Sequence, residues 1–166
     1  MAHTGPPEGP LDPGRLVDGD LTLVLAQYLP GRPAEGFVPA YRFLMRRTGD
    51  GAQMGEVELR IGLTERLRAY GGNVGYYVDP AFRGHCYAAR SVRLLSALAR
   101  AHGLKELCIT CAPENVASRR TCELAGGVLV DIVPLPADAD DPEPGRTMTC
   151  RYRVDLAAAD RDRRAP

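Results

Sequence analysis

The residues most able to do chemistry sit in the run Arg83-Gly84-His85-Cys86-Tyr87-Ala88, between an apolar segment that stops at Asp79-Pro80 and a segment with helical periodicity. A short loop that opens a helix leaves backbone N–H groups without partners, and the helix dipole adds partial positive charge to them. Phosphate is therefore favoured at such a junction. Gly84 lets the backbone approach an anion closely, and Arg83 can add a charged, forked donor. The spacing matches neither the GxxxxGK[ST] loop nor the GxGxxG fingerprint, which disfavours nucleotide readings. On these residues alone, an anion site and a plain strand-to-helix turn with a surface arginine are equal alternatives.

The cysteines Cys86, Cys108, Cys111, Cys122 and Cys150 are odd in number, which argues against a disulfide framework and for reduced thiols. Cys108 and Cys111 have CxxC spacing, but they lie in the apolar run from Leu107 to Ala112. Residues three apart on a strand point to opposite faces, so the pair reads as two small core residues and no metal site is expected.

The elements that must hold these groups follow from periodicity. Leu21 to Leu25 is a strand, and the proline-rich stretch Pro30 to Pro39 is irregular. Tyr41, Phe43 and Met45 share one face of a second strand. Val57, Leu59, Ile61 and Leu63 alternate with Glu56, Glu58, Arg60 and Gly62 in a third, so the two strands form an antiparallel hairpin through Thr48-Gly49-Asp50-Gly51. Asn73 to Val78 is a fourth strand. From about Gly84, Ala88, Val92, Leu95, Leu98, Ala99 and His102 share a helical face, with Gly103 as the C-terminal cap. Leu107 to Cys111 follows as a fifth strand, giving a βαβ unit with parallel strands. Asn115 to Ala125 is a second helix with Asn115 as N-cap and Gly126-Gly127 at its end; Val128 to Val133 and Thr147 to Leu156 are strands, the last antiparallel to the one before.

One folded unit over 16–156 is expected, between tails at 1–15 and 157–166 that lack apolar periodicity. Lys plus Arg and Asp plus Glu both total 21, so no net field draws the chain to nucleic acid or an anionic membrane. The glycine- and proline-rich start has no apolar run for a signal peptide, and a cytoplasmic protein is the expectation.

The run from Gly75 through Tyr77, Val78, Arg83, Gly84 and Cys86 to Ala88 resembles the strand and Arg/Gln-x-x-Gly-x-Gly/Ala loop of the GNAT superfamily of acetyl-CoA-dependent N-acetyltransferases. The resemblance continues in Asn115-Val116-Ala117-Ser118-Arg119-Arg120 and Cys122 to Gly126, and the element order from Leu21 to Leu156 fits too. It implies an α/β (α+β) fold with a mixed, mostly antiparallel central sheet and a βαβ acyl-CoA-binding core. It also implies acetyl-CoA as co-substrate without a metal, pyrophosphate held by amides from Arg83 through His85, Cys86 and Tyr87 to Ala88, and pantetheine bonded to the backbone of Tyr77 and Val78 where the fourth and fifth strands splay. Asn115, Ser118 and Arg119 or Arg120 are implied near the cofactor. Two departures stand out. Cys86 occupies the second glycine position, where positive φ would strain a residue with a β-carbon. Cys122 falls where many relatives carry a tyrosine that protonates the leaving thiolate.

The most economical chemistry is direct attack of a neutral amine on the thioester, with Glu56 or Glu58 of the third strand as base, Tyr76 or Tyr77 as a proton relay through water, and an amide near Val78 on the oxyanion. The acceptor is expected to be a small-molecule or peptide amine, drawn by Asp138, Asp140, Asp141 and Glu143 of the loop from Ala137 to Gly145. A homodimer is left open. The competing reading is a non-catalytic acyl-CoA-binding or regulatory module.

Overall fold

The computed structural model describes residues 9–140 and 145–157. The tail expectations for residues 1–8 and 158–166, and the acidic-loop residues Asp141 and Glu143, lie outside the described residues. The strands are β1 (Leu16–Asp18), β2 (Leu21–Leu29), β3 (Ala40–Arg47), β4 (Gln53–Arg60), β5 (Val74–Val78), β6 (Glu106–Cys111), β7 (Gly127–Pro134) and β8 (Met148–Asp155); the helices are α1 (Tyr87–Ala101) and α2 (Val116–Leu124). They form a sheet in the order β1-β2-β3-β4-β5 and a second in the order β6-β8-β7. Every ladder is antiparallel.

The alternation in β3 and β4 has its expected consequence, since Tyr41, Phe43, Met45, Val57 and Leu59 are buried at 1% exposure or less. Against them pack Val92, Leu95, Leu98 and Ala99 of α1, at the three- and four-residue spacing of one helical face. Gly103, with φ 82°, closes α1: its N–H donates to the Arg100 carbonyl and the Leu104 N–H to that of Ala99. Two aspartates of the β1–β2 hairpin fix the other end of the helix. Arg90 pairs with Asp18 at 2.8 Å and Asp20 at 2.9 Å, and the Tyr87 hydroxyl donates to Asp20 at 2.5 Å.

The expected βαβ unit runs from β5 through α1 to β6. Among the described residues β5 and β6 share no ladder; Asn73 rivets them instead, its N–H donating to the Cys108 carbonyl at 2.6 Å and its Oδ1 accepting the Cys108 N–H at 2.9 Å. The Asn73 Nδ2 also reaches the Gly62 carbonyl at 2.6 Å, so this fully buried amide is satisfied on three sides. A π-helical turn over Leu67–Gly71, with no periodic signal of its own, packs on β6 through the Thr110 hydroxyl on the Tyr70 carbonyl. Strand β8, last in sequence, sits between β6 and β7, and β1 precedes the first expected strand.

His102 is buried at the end of α1, with its Nε2 2.7 Å from the Tyr41 hydroxyl. Burial holds its pKa below the usual imidazole value. The unfolded chain therefore binds a proton that the folded chain resists. The contribution is fully present above about pH 6.5, the unfolded value, and declines as pH falls toward the lower folded value. Melting temperatures from pH 7.5 to pH 5 should decline in the native protein and decline less steeply in His102→Gln; parallel curves would remove His102 as the cause.

Candidate active site

A cleft of about 940 Å³ opens between β5 and β6 and runs over the N-terminus of α1. Its floor is set by hydrogen-bond parity. The Arg60 N–H donates to the Asn73 carbonyl and the Asp79 N–H to that of Met54, so the bonded pairs of the β4–β5 ladder are Glu56 with Tyr77 and Glu58 with Gly75. The backbone groups of Tyr76 and Val78 consequently face away from β4, toward the cleft. This corrects the expectation for Tyr77, whose carbonyl is aimed at β4: a β-carbon on Gly55 would lie 2.1 Å from it, so only glycine fits there. The Tyr77 ring still lines the cleft, 53% exposed, with the Arg83 guanidinium 5.9 Å from its centroid.

Helix α1 begins at Tyr87, three residues later than its periodicity suggested, because Gly84 (φ 89°) and Cys86 (φ 59°) are both left-handed. Cys86 is the one described non-glycine residue with positive φ, the strain anticipated from its place in the loop. Its carbonyl accepts the Arg90 N–H as the first bond of the helix, which leaves the amides of Tyr87, Ala88 and Ala89 with no acceptor among the described residues. Arg83 anchors the loop by donating from Nε to the Val78 carbonyl at 3.0 Å, so the free backbone group of Val78 is its N–H. Of the other loop side chains, Cys86, Tyr87 and Ala88 line the cleft; His85 does not, and its ring lies 5.5 Å from that of Tyr87.

On the facing wall Asn115 caps α2, its Oδ1 accepting the Ser118 N–H at 3.0 Å. Ser118 and Arg120 line the cleft. Arg119 turns the other way, donating to the Tyr152 hydroxyl at 3.2 Å, so the helix face offers Arg120 and not Arg119 to a bound molecule. Glu56 is exposed and lies outside the cleft lining. Glu58 lies in a smaller adjoining cavity, where its two oxygens accept from Arg42 at 3.0 Å and Arg60 at 2.9 Å.

The residue pattern did not announce the polar cluster in the cleft wall, where Tyr76 and Ser118 both line the cleft. The Tyr76 hydroxyl is 2.7 Å from Ser118 Oγ and 3.8 Å from the Sγ of fully buried Cys122. Burial, then the neighbouring Cys122 thiol, pushes the Tyr76 hydroxyl well above its ordinary pKa. The neighbouring Cys111 thiol, then burial, pushes the Cys122 thiol up. The available signal was the β5 register, which decides whether Tyr76 or Tyr77 faces α2. Among the described residues no group of three or more His, Cys, Asp or Glu could hold a metal ion, and no helix is long and apolar enough to cross a membrane.

Splayed strands beside a helix N-terminus with free amides make a cleft suited to a molecule with an anionic tail. The chain belongs to the acetyltransferase (GNAT) domain family, whose model matches residues 25–128. Solved structures share the fold. One is RimL, a ribosomal L7/L12 alpha-N-protein acetyltransferase in complex with coenzyme A, at 17% identity and TM-score 0.63 over 87% of this chain and 99% of that one. Another is the spermidine N-acetyltransferase of Vibrio cholerae with coenzyme A and spermine, at 15% identity and TM-score 0.54 over 71% and 66%. A third is the microcin C7 self-immunity acetyltransferase with acetyl-CoA and AMP, at 18% identity and TM-score 0.55; the match covers 70% of this chain and 61% of that protein's length. No curated protein matches the sequence.

Proposed function

We propose that the chain transfers an acetyl group from acetyl-CoA to the amine of a small molecule or peptide by direct attack in a ternary complex. The observation that carries this reading is the cleft itself, with free α1 amides at one end and the Val78 N–H facing its interior. The amine nitrogen attacks the thioester carbonyl carbon, the Val78 N–H stabilises the oxyanion, and the C–S bond then breaks. The departing thiolate takes a proton from the Tyr76 hydroxyl, which burial keeps protonated. The ammonium proton passes to Glu58, the nearer of the two carboxylates, whose cavity shares Arg60 and Arg66 with the cleft. Neighbours named for spermidine and for a ribosomal alpha-amino group support an amine acceptor.

One observation favours the second reading, acyl-CoA binding without transfer: both Glu58 oxygens are already paired with arginines. A thiol-release screen over amine classes separates the two. Transfer predicts turnover with at least one class, near-native rates in Glu56→Gln, and a loss of about a hundredfold in Glu58→Gln at pH 7 that shrinks at pH 9, where more amine is neutral. Coenzyme A binding with no release for any class would select the binding module.

A further inference from the structure

We infer that the acceptor carries a carboxylate or phosphate group, held by Arg66 in the cavity beside the cleft. The inference rests on the transferase reading and names its substrate class. The cavity, of about 380 Å³, is lined by Arg32, Phe37, Arg42, Glu58, Arg60 and Arg66 among others, and Arg60 and Arg66 line the main cleft as well. A molecule in the cleft can therefore extend into it.

Four guanidinium groups face one carboxylate there, and three of the four are committed within the fold. Glu58 bridges Arg42 and Arg60, and Arg60 also donates from Nη1 to the carbonyls of Gly71 at 3.1 Å and Gly72 at 3.2 Å. Arg32 pairs with Glu35 at 3.0 Å. Arg66 has no carboxylate partner among the described residues; its recorded contact is the ring of Phe37, 5.9 Å from the guanidinium, with Arg32 at 4.8 Å from the same ring. An arginine held against an aromatic face keeps its in-plane N–H fork for a planar or tetrahedral anion, and a second guanidinium on the same ring raises the local positive potential.

The cofactor does not account for this charge. Arg60 meets Asn73 just before β5, whereas the phosphate loop follows Val78 at the other end of that strand. Five residues at about 3.3 Å each separate the two ends by more than 10 Å. The anion near Arg66 thus belongs to the second substrate, whose amine lies at the thioester between them.

The test uses tripeptides with a free amino group that differ only in glutamate against glutamine, or phosphoserine against serine, at the second or third position. The native protein should acetylate the anionic member at least about tenfold more efficiently in kcat/KM at low salt, the scale of one charge-assisted, forked contact. Arg66→Gln should bring the ratio near one, and Arg66→Lys should keep part of it. The glutamate and phosphoserine arms identify which anion is preferred. Calorimetric binding of the same peptides to the coenzyme A-loaded protein reads the site without turnover. Binding that favours the anion while neither these peptides nor any amine class of the thiol-release screen is acetylated would uphold the pocket and defeat the transferase reading. Equal use and equal binding of charged and neutral members, or a preference that survives in Arg66→Gln, would overturn the inference.

Discussion

Replacing Gly84 by Glu is expected to abolish the rise in melting temperature that coenzyme A produces in the native protein and to lower kcat/KM for acetyl-CoA by about two orders of magnitude or more. At a hundredfold excess over Kd, ligand linkage adds about 2.7 kcal/mol, which for a chain of this size is a shift of roughly 5–10 °C. The variant places a carboxylate where the amides of Tyr87, Ala88 and Ala89 present their unpaired N–H groups. There it both repels phosphate and competes for the same donors. It carries a second effect, because Gly84 has φ 89° and a side chain there costs about 1–2 kcal/mol of stability whatever its charge. Gly84→Ala separates the two. A β-carbon at Gly84 meets nothing within 4 Å, and Cys86 already holds a left-handed conformation two residues on, so the alanine variant should fold, melt somewhat lower and keep most of the coenzyme A shift. A full shift in Gly84→Glu would move the cofactor phosphates away from this loop.

That loop was legible because its physics is local. A strand stopped by Asp79-Pro80, a glycine and a helical face starting at Ala88 announce a helix N-terminus with free amides, and Cys86 in a glycine position announced its strain. The β3–β4 hairpin and the Asn115 cap were legible for the same reason. What stayed hidden depends on partners distant in sequence. Nothing in the runs Leu107–Cys111 and Val128–Val133 says that β8 will come between them. The rivet at Asn73 could not be told from an ordinary strand residue, because its meaning lies in bonds to Cys108 and Gly62. The parity of β5 is the sharpest case. Tyr76 and Tyr77 are adjacent and chemically identical, and a one-residue change of phase exchanges their faces. Only the ladder with β4 sends Tyr77 outward beside Arg83 and Tyr76 inward to Ser118 and Cys122.

Tyr76→Phe is expected to lower kcat by about a hundredfold while leaving the affinity for coenzyme A within a few-fold of native. The motive is positional. By the resemblance Cys122 falls where many relatives carry a tyrosine, yet the Tyr76 hydroxyl reaches within 3.8 Å of that sulfur from β5 and lies 2.7 Å from Ser118 Oγ. A hydroxyl supplied from the opposite wall can thus meet the same departing sulfur. A proton donor typically contributes a hundredfold to ten-thousandfold, and the low end applies because a thiolate leaves moderately well without help. Since burial raises the Tyr76 pKa, the donor stays protonated through the alkaline range, and its loss should lower kcat by a similar factor at pH 7 and pH 9. A merely structural role would slow every acyl donor alike. The discriminating measurement is therefore turnover with an acetyl thioester whose thiol is much more acidic than that of coenzyme A. That leaving group needs no proton, so Tyr76→Phe should be slowed far less with it than with acetyl-CoA. Equal slowing with both donors, or native kcat with acetyl-CoA, would remove Tyr76 from the proton path and return the question to Cys122.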